Sequence, residues 1–365
     1  MRRGPFLVLF AVSGAAALIY EVVWTRLLTL HMGHGLAAAS TVLAAFMGGL
    51  AAGAGVAGRY AARLQPRRAV QLYAALEIAI AVLALAMPLF LIAVRPLLAA
   101  TYADGHGGAT FVFVRLASSV LLLCVPAAAM GATFPIASRW IVRKASTAAQ
   151  DAGGLYAANT LGAAAGAVMA GFWLIPALGL RGTTLVGVAL NVIAAGGAWF
   201  LARRTVDALT ATTDAAAPKA QPKKTRKEEP SPVRPHAPVM AAVALGASGF
   251  ASLTLQVVWT RLLVQILGPT TYAFSTVVAI FIIGIAGGAT IGSRLAARAK
   301  HPGIGLACSL LVSAGLALAA ASGVDWALLT IGEIVSRPDY QFADVLRREV
   351  LLVSALLLPM TIAFG

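Results

Sequence analysis

The stretch from Ser13 to Arg63 occurs twice. Moved by 235 positions it falls on Ser248 to Arg298 without a gap, and about half of the 51 positions are identical. The run Val22-Val23-Trp24-Thr25-Arg26-Leu27-Leu28 returns whole as Val257-Val258-Trp259-Thr260-Arg261-Leu262-Leu263. A gapless repeat of this length means that one structural unit has been used twice, so the fold must hold two like units.

Both copies are apolar. Hydrophobic residues make up 60% of the 365, charged residues 11%, and the mean hydropathy is +0.86, far outside the range of a soluble globular domain. The expected fold class is an all-α integral membrane protein, with the lipid bilayer as its first partner. A formal charge of +15 does not indicate nucleic acid, because the basic residues fall in short clusters between apolar runs instead of along one face. Cys124 and Cys308 lie inside apolar runs without CxxC spacing and read as packing residues. Met1-Arg2-Arg3 starts like a signal peptide, but no cleavage site follows and the apolar run is long enough to be a retained first helix.

Apolar runs of about 20 residues, the length that crosses roughly 30 Å of hydrocarbon, predict ten spans. Six precede a polar break, at 6–30, 37–58, 69–93, 113–137, 154–176 and 183–202. Four follow it, at 240–266, 272–292, 303–323 and 349–365. With the amino terminus in the cytoplasm, 20 of the 28 Lys and Arg residues fall inside, which sets the expected orientation. Trp24, Trp173, Trp259 and Trp326 then come near outer ends, and Trp140 and Trp199 at inner ends, as interfacial belts require. Residues 203–238 carry six prolines and the run Lys223-Lys224-Thr225-Arg226-Lys227-Glu228-Glu229; they bury too little to offset ordering entropy and read as a basic, flexible cytoplasmic linker. The chain thus divides into a first repeat at 1–202, the linker, and a second repeat at 239–365. Six helices is an even number, so the second copy enters in the same direction as the first, giving parallel repeats. The second copy holds only four spans, and Leu357-Leu358-Pro359 to Phe364-Gly365 resembles Leu123-Cys124-Val125-Pro126 to Met130-Gly131. The expectation is that the sequence continues with two more helices.

Polar residues inside apolar helices are the candidates for function. Glu21 and Glu77 are carboxylates at membrane depth, where a charge costs about 2.5 to 3.5 kcal/mol and normally has a partner or a task. Glu21 becomes Gln256 in the second copy. Tyr156, Asn159 and Asn191 can hydrogen-bond between helices; Asn159 joins Glu21, Glu77 and Gln256 as a candidate lining an interior. Arg26 and Arg261, each two residues after Trp24 or Trp259, read as snorkelling to headgroups beside an interfacial ring, with an ion pair or anion contact as the alternative. Gly49 and Gly53, repeated as Gly284 and Gly288, place a small-residue groove on one helix face, suited to close packing or to a sliding gate. His31 and His34 have no acidic or Cys ligand beside them, so no metal site is expected. No phosphate loop, HExxH, GxSxG or dinucleotide fingerprint is present, and no cofactor or catalytic residue is assigned.

Ser13-Gly14-Ala15-Ala16-Ala17-Leu18-Ile19-Tyr20-Glu21-Val22-Val23-Trp24, Gly131-Ala132-Thr133-Phe134-Pro135 and Tyr156-Ala157-Ala158-Asn159-Thr160-Leu161-Gly162 resemble the membrane portion of the bacterial fused major-facilitator/spermidine-synthase-like family. The resemblance implies a bacterial inner-membrane protein and, in the whole protein, a cytosolic domain similar to aminopropyltransferases, none of which lies in these residues. Gly58-Arg59-Tyr60-Ala61-Ala62-Arg63 with Arg67-Arg68 is similar to the basic loop of major-facilitator transporters, without its aspartate. Two expectations follow. One is a transporter-like module for polyamines or other small cations; the other is a non-transporting anchor for an aminopropyltransferase-like domain or partner complex. A transporter needs its buried carboxylates to face a cavity between the repeats, whereas an anchor can have them paired and sealed.

Overall fold

In the computed structural model of the chain, residues 3–32, 36–102, 108–142, 147–213, 237–267, 270–296, 302–336 and 341–365 are described, and among them there is no strand. The helices are α1 (Arg3–Met32), α2 (Leu36–Ala61), α3 (Pro66–Thr101), α4 (Ala109–Ile141), α5 (Ala148–Met169), α6 (Ile175–Thr213), α7 (Ala237–Leu267), α8 (Thr271–Ala296), α9 (Pro302–Ser322), α10 (Val324–Val335) and α11 (Phe342–Phe364). A π-helical turn, Ala170–Leu174, joins α5 to α6. Seven stretches of the described residues are long and apolar enough to cross a membrane. The protein is therefore an α-helical membrane protein.

Seven is fewer than the ten spans expected, partly because one stretch, Gln150–Arg203, runs for 54 residues through α5, the π turn and α6. At 1.5 Å per residue that is about 80 Å, well over twice the hydrocarbon thickness. The break comes at Gly179, whose φ of 67° and ψ of −177° lie in a region essentially reserved for glycine. Beyond it, a Cβ built on Gly187 would meet Tyr20 and one on Gly197 would meet Leu9, so α6 runs antiparallel to α1. Helix α6 also continues to Thr213, into the segment expected as linker; 214–236 lie outside the described residues. α7 and α11 are not among the seven stretches.

The first copy has a core at each end of its bundle. One gathers Phe6 and Phe10 of α1, Ala61 of α2, Val70 and Tyr73 of α3, Trp140 of α4, Leu155 of α5 and Ala198 of α6. The other gathers Trp24 and Leu28 of α1, Phe46 of α2, Met87 and Leu91 of α3, Leu123 of α4 and Ala167 of α5. Consecutive helices thus alternate in direction. Arg59, Arg63, Arg67 and Arg68 collect at the first of these ends, and there Nε of Arg139 donates to the carbonyl of Leu64 at 2.9 Å, tying α4 to the turn after α2.

The repeat is visible in the packing. Trp24, Leu28, Val42 and Phe46 are buried in one core, and the residues 235 further on, Trp259, Leu263, Val277 and Phe281, are buried in another. A Cβ on Gly53 would collide with the carbonyl of Ala128 on α4, and one on Gly288 with the carbonyl of Ile362 on α11. Gly49 likewise abuts Cys124 and Ala127, and Gly284 abuts Thr361. These four glycines let two helix backbones approach within each copy. In the first copy α3 continues through Pro88 to Thr101, whereas in the second copy α9 stops at Ser322 and α10, a short helix that the apolar-run pattern does not predict, starts at Val324.

Trp24 and Trp259 correct one expectation. They are 1% and 2% exposed, and Trp24 stacks on Tyr20 at 5.3 Å with Phe46 against its edge, so neither ring belongs to an interfacial belt. Trp140 is also buried, whereas Trp173, Trp199 and Trp326 are exposed.

Candidate functional site: a carboxylate in a cavity between the two copies

Successive residues of an α-helix are turned by about 100°, so Ser13 and Tyr20, seven apart on α1, share a stripe that faces α3 and α6. Glu21 is turned away from it. On α3, Tyr73 and Glu77 are four apart and stack on one face. Asn191 on α6 completes the cluster, Gly187 having left room one turn earlier for the Tyr20 ring.

Glu77 is fully buried. Ser13 Oγ donates to its Oε1 at 2.6 Å and Asn191 Nδ2 to its Oε2 at 2.6 Å, short distances that suit a carboxyl acceptor. The Tyr20 hydroxyl donates to Oδ1 of Asn191 at 2.7 Å. Both carboxyl oxygens are thus satisfied from two other helices, as a polar group at this depth requires. The hydroxyl of Tyr73 lies beside Ser13 and Glu77 and belongs to the same buried cluster.

Glu21 is placed differently. It is 3% exposed, and among the described residues its Oε1 has no hydrogen-bond partner. It lines a half-enclosed cavity of about 550 Å³. The first copy supplies one side of that cavity from α1, α2, α3, α4, α5 and α6, and the second copy supplies Leu253 and Gln256 of α7 with Val278, Phe281, Ile282 and Ile285 of α8. Most of the wall is apolar, with Phe10, Phe46, Met47, Leu50, Met130 and Phe134 prominent. Its polar groups include Ser13, Tyr156, Asn159, Asn191 and Gln256, and among the described residues Glu21 is the one charged residue on it. The two copies also meet where Phe172 of the π turn packs against Tyr272 of α8, ring centroids 5.4 Å apart.

Three of the four residues expected to line an interior, Glu21, Asn159 and Gln256, are brought to this one cavity. Asn159 packs closely against α1 there, since a Cβ on Gly14 would lie 2.8 Å from its Oδ1. Glu77 is not on the wall; it sits behind Ser13 and Asn191, which are. Arg26 and Arg261 are half-buried and do not line the cavity. His34 lies outside the described residues and the side chain of His31 outside the described ones. No group of three or more metal-ligating side chains occurs among the described residues.

The parts of Ser13, Tyr20 and Tyr73 were not foreseen; Asn191 was expected to hydrogen-bond between helices, and its partners are Glu77 and Tyr20. Spacing held a usable signal. Ser13 with Tyr20, and Tyr73 with Glu77, repeat at helical intervals on single faces. Nothing in the sequence links Asn191 to Glu77 across 114 positions.

Fold and site define an α-helical membrane protein with a largely apolar cavity, carrying a few polar groups, between its two sequence copies. No protein-family model matches the chain, and no curated protein matches it.

Proposed function

We propose that this is a transporter-like membrane module that takes small organic cations into the cavity between its two repeats, with Glu21 as the charge that holds them. The observation that carries this reading is a buried carboxylate, Glu21, on the wall of a cavity, with one oxygen that has no hydrogen-bond partner among the described residues. Such a group is costly at membrane depth unless a cation or a proton satisfies it. An apolar wall with a few placed polar groups is what a small-molecule site requires. Polyamines enter as candidates through the resemblance to the spermidine-synthase-like family.

The architecture of this reading is two parallel repeats in the manner of major-facilitator transporters, in the bacterial inner membrane, with the amino terminus in the cytoplasm. The matching cores around Trp24 and Trp259 support the repeats, and the basic residues gathered at one end of the bundle support the orientation. The second reading is an anchor for a cytosolic aminopropyltransferase-like domain or partner complex. Glu77, paired and sealed, favours it, because a carboxylate satisfied by Ser13 and Asn191 has only a structural task. The test is uptake of labelled amines, putrescine and spermidine included, into proteoliposomes carrying the full-length protein, with Glu21→Gln beside the wild type. Saturable uptake lost in the variant is expected; no uptake above empty vesicles would leave the anchor reading in its place.

A further inference from the structure

We infer that the cavity selects amines with one positive charge and an apolar body over polyamines. The inference rests on the cation reading given above and narrows it. Among the described residues one carboxylate, Glu21, faces the space. The other, Glu77, is off the wall and committed to Ser13 and Asn191. At the position 235 residues on from Glu21, where a second carboxylate would stand if the repeat were symmetric, the second copy places the neutral Gln256, also on the wall. The cavity therefore compensates a single ammonium group, and its remaining lining of aliphatic and aromatic side chains accepts a hydrocarbon chain or ring.

A diamine of the same length would bring a second ammonium into contact with amides and hydroxyls alone. The insertion cost of one uncompensated charge at membrane depth corresponds to about 100-fold in affinity. Gln256 is thus the residue that reads charge number: its amide oxygen accepts a hydrogen bond but supplies no counter-charge.

The test is calorimetric titration of the purified full-length protein with n-hexylamine and with 1,6-diaminohexane, which share a carbon chain and differ by one ammonium. Wild type, Glu21→Gln and Gln256→Glu are compared. The wild type is expected to bind hexylamine about 100-fold tighter than the diamine, Glu21→Gln to lose hexylamine binding at least 10-fold, and Gln256→Glu to reverse the order. Equal or tighter diamine binding by the wild type would overturn the single-charge inference and leave the cation reading standing. Absence of binding by either amine, or hexylamine binding unchanged in Glu21→Gln, would overturn both. The wild-type comparison decides the matter alone if Gln256→Glu fails to fold. If it folds and keeps the wild-type order, Gln256 does not read the charge.

Discussion

Asn191 donates to Oε2 of Glu77 at 2.6 Å and accepts from the Tyr20 hydroxyl at 2.7 Å, so one amide links α1, α3 and α6 in the middle of the first repeat. Replacing it with Leu removes a donor from Glu77 and orphans Tyr20. Interhelical hydrogen bonds in membranes contribute about 0.6 to 2 kcal/mol each, and two are lost. Asn191→Leu is expected to lower stability by about 1 to 4 kcal/mol in detergent unfolding, with Tyr20→Phe, which breaks one bond, near the lower end. Equal stability of all three proteins would show that the link has no structural weight.

The glycine grooves make a contrast within one helix. A Cβ on Gly53 would strike the backbone of Ala128, whereas Gly55 has nothing within 4 Å. Gly53→Ala is expected to destabilise by about 1 to 3 kcal/mol through overpacking. Gly55→Ala is expected to be neutral or to gain up to about 1 kcal/mol from helix propensity. Gly288→Ala, which would strike Ile362, should behave like Gly53→Ala if the repeats are energetically as well as geometrically alike. Thermal unfolding of the three variants checks the set.

Gly179 has a backbone conformation that other residues reach only at a cost of about 1 to 3 kcal/mol. No atom stands within 4 Å of a Cβ built there, so any penalty in Gly179→Ala comes from φ and ψ alone. The expected result is a destabilised variant in which protease cuts first near Gly179, inside α6. Wild-type protease resistance would contradict the assigned turn.

Burial separates the tryptophans. In single-tryptophan variants, brominated lipid is expected to quench Trp173, 62% exposed, and to leave Trp24, 1% exposed, almost unchanged. Strong quenching of Trp24 would return it to the membrane interface.

The sequence made the repeat, the helical class and the candidate carboxylates legible because each rests on local pattern: a gapless match, apolar run length, and charge where charge is costly. The repeat also carried more than it first disclosed, since Phe46 and Phe281 occupy equivalent core places beside Trp24 and Trp259. Trp24 was misplaced because its nearness to a helix end suggested an interface, while burial depends on Tyr20 and Phe46 packing over it. Glu21 and Glu77 were read as equals. Their difference depends on which side chains from α6 and α7 lie opposite, and no spacing within α1 or α3 encodes that.

Glu21 lines the cavity while Glu77 is sealed behind Ser13 and Asn191. Modification by a water-soluble carbodiimide and an amine nucleophile, read residue by residue by mass spectrometry on the folded protein, tests this difference most directly. The account predicts labelling of Glu21, protection of Glu21 by n-hexylamine, and no labelling of Glu77 until the protein is unfolded. Labelling of Glu77 with Glu21 untouched, or Glu21 labelling that hexylamine does not slow, would contradict it.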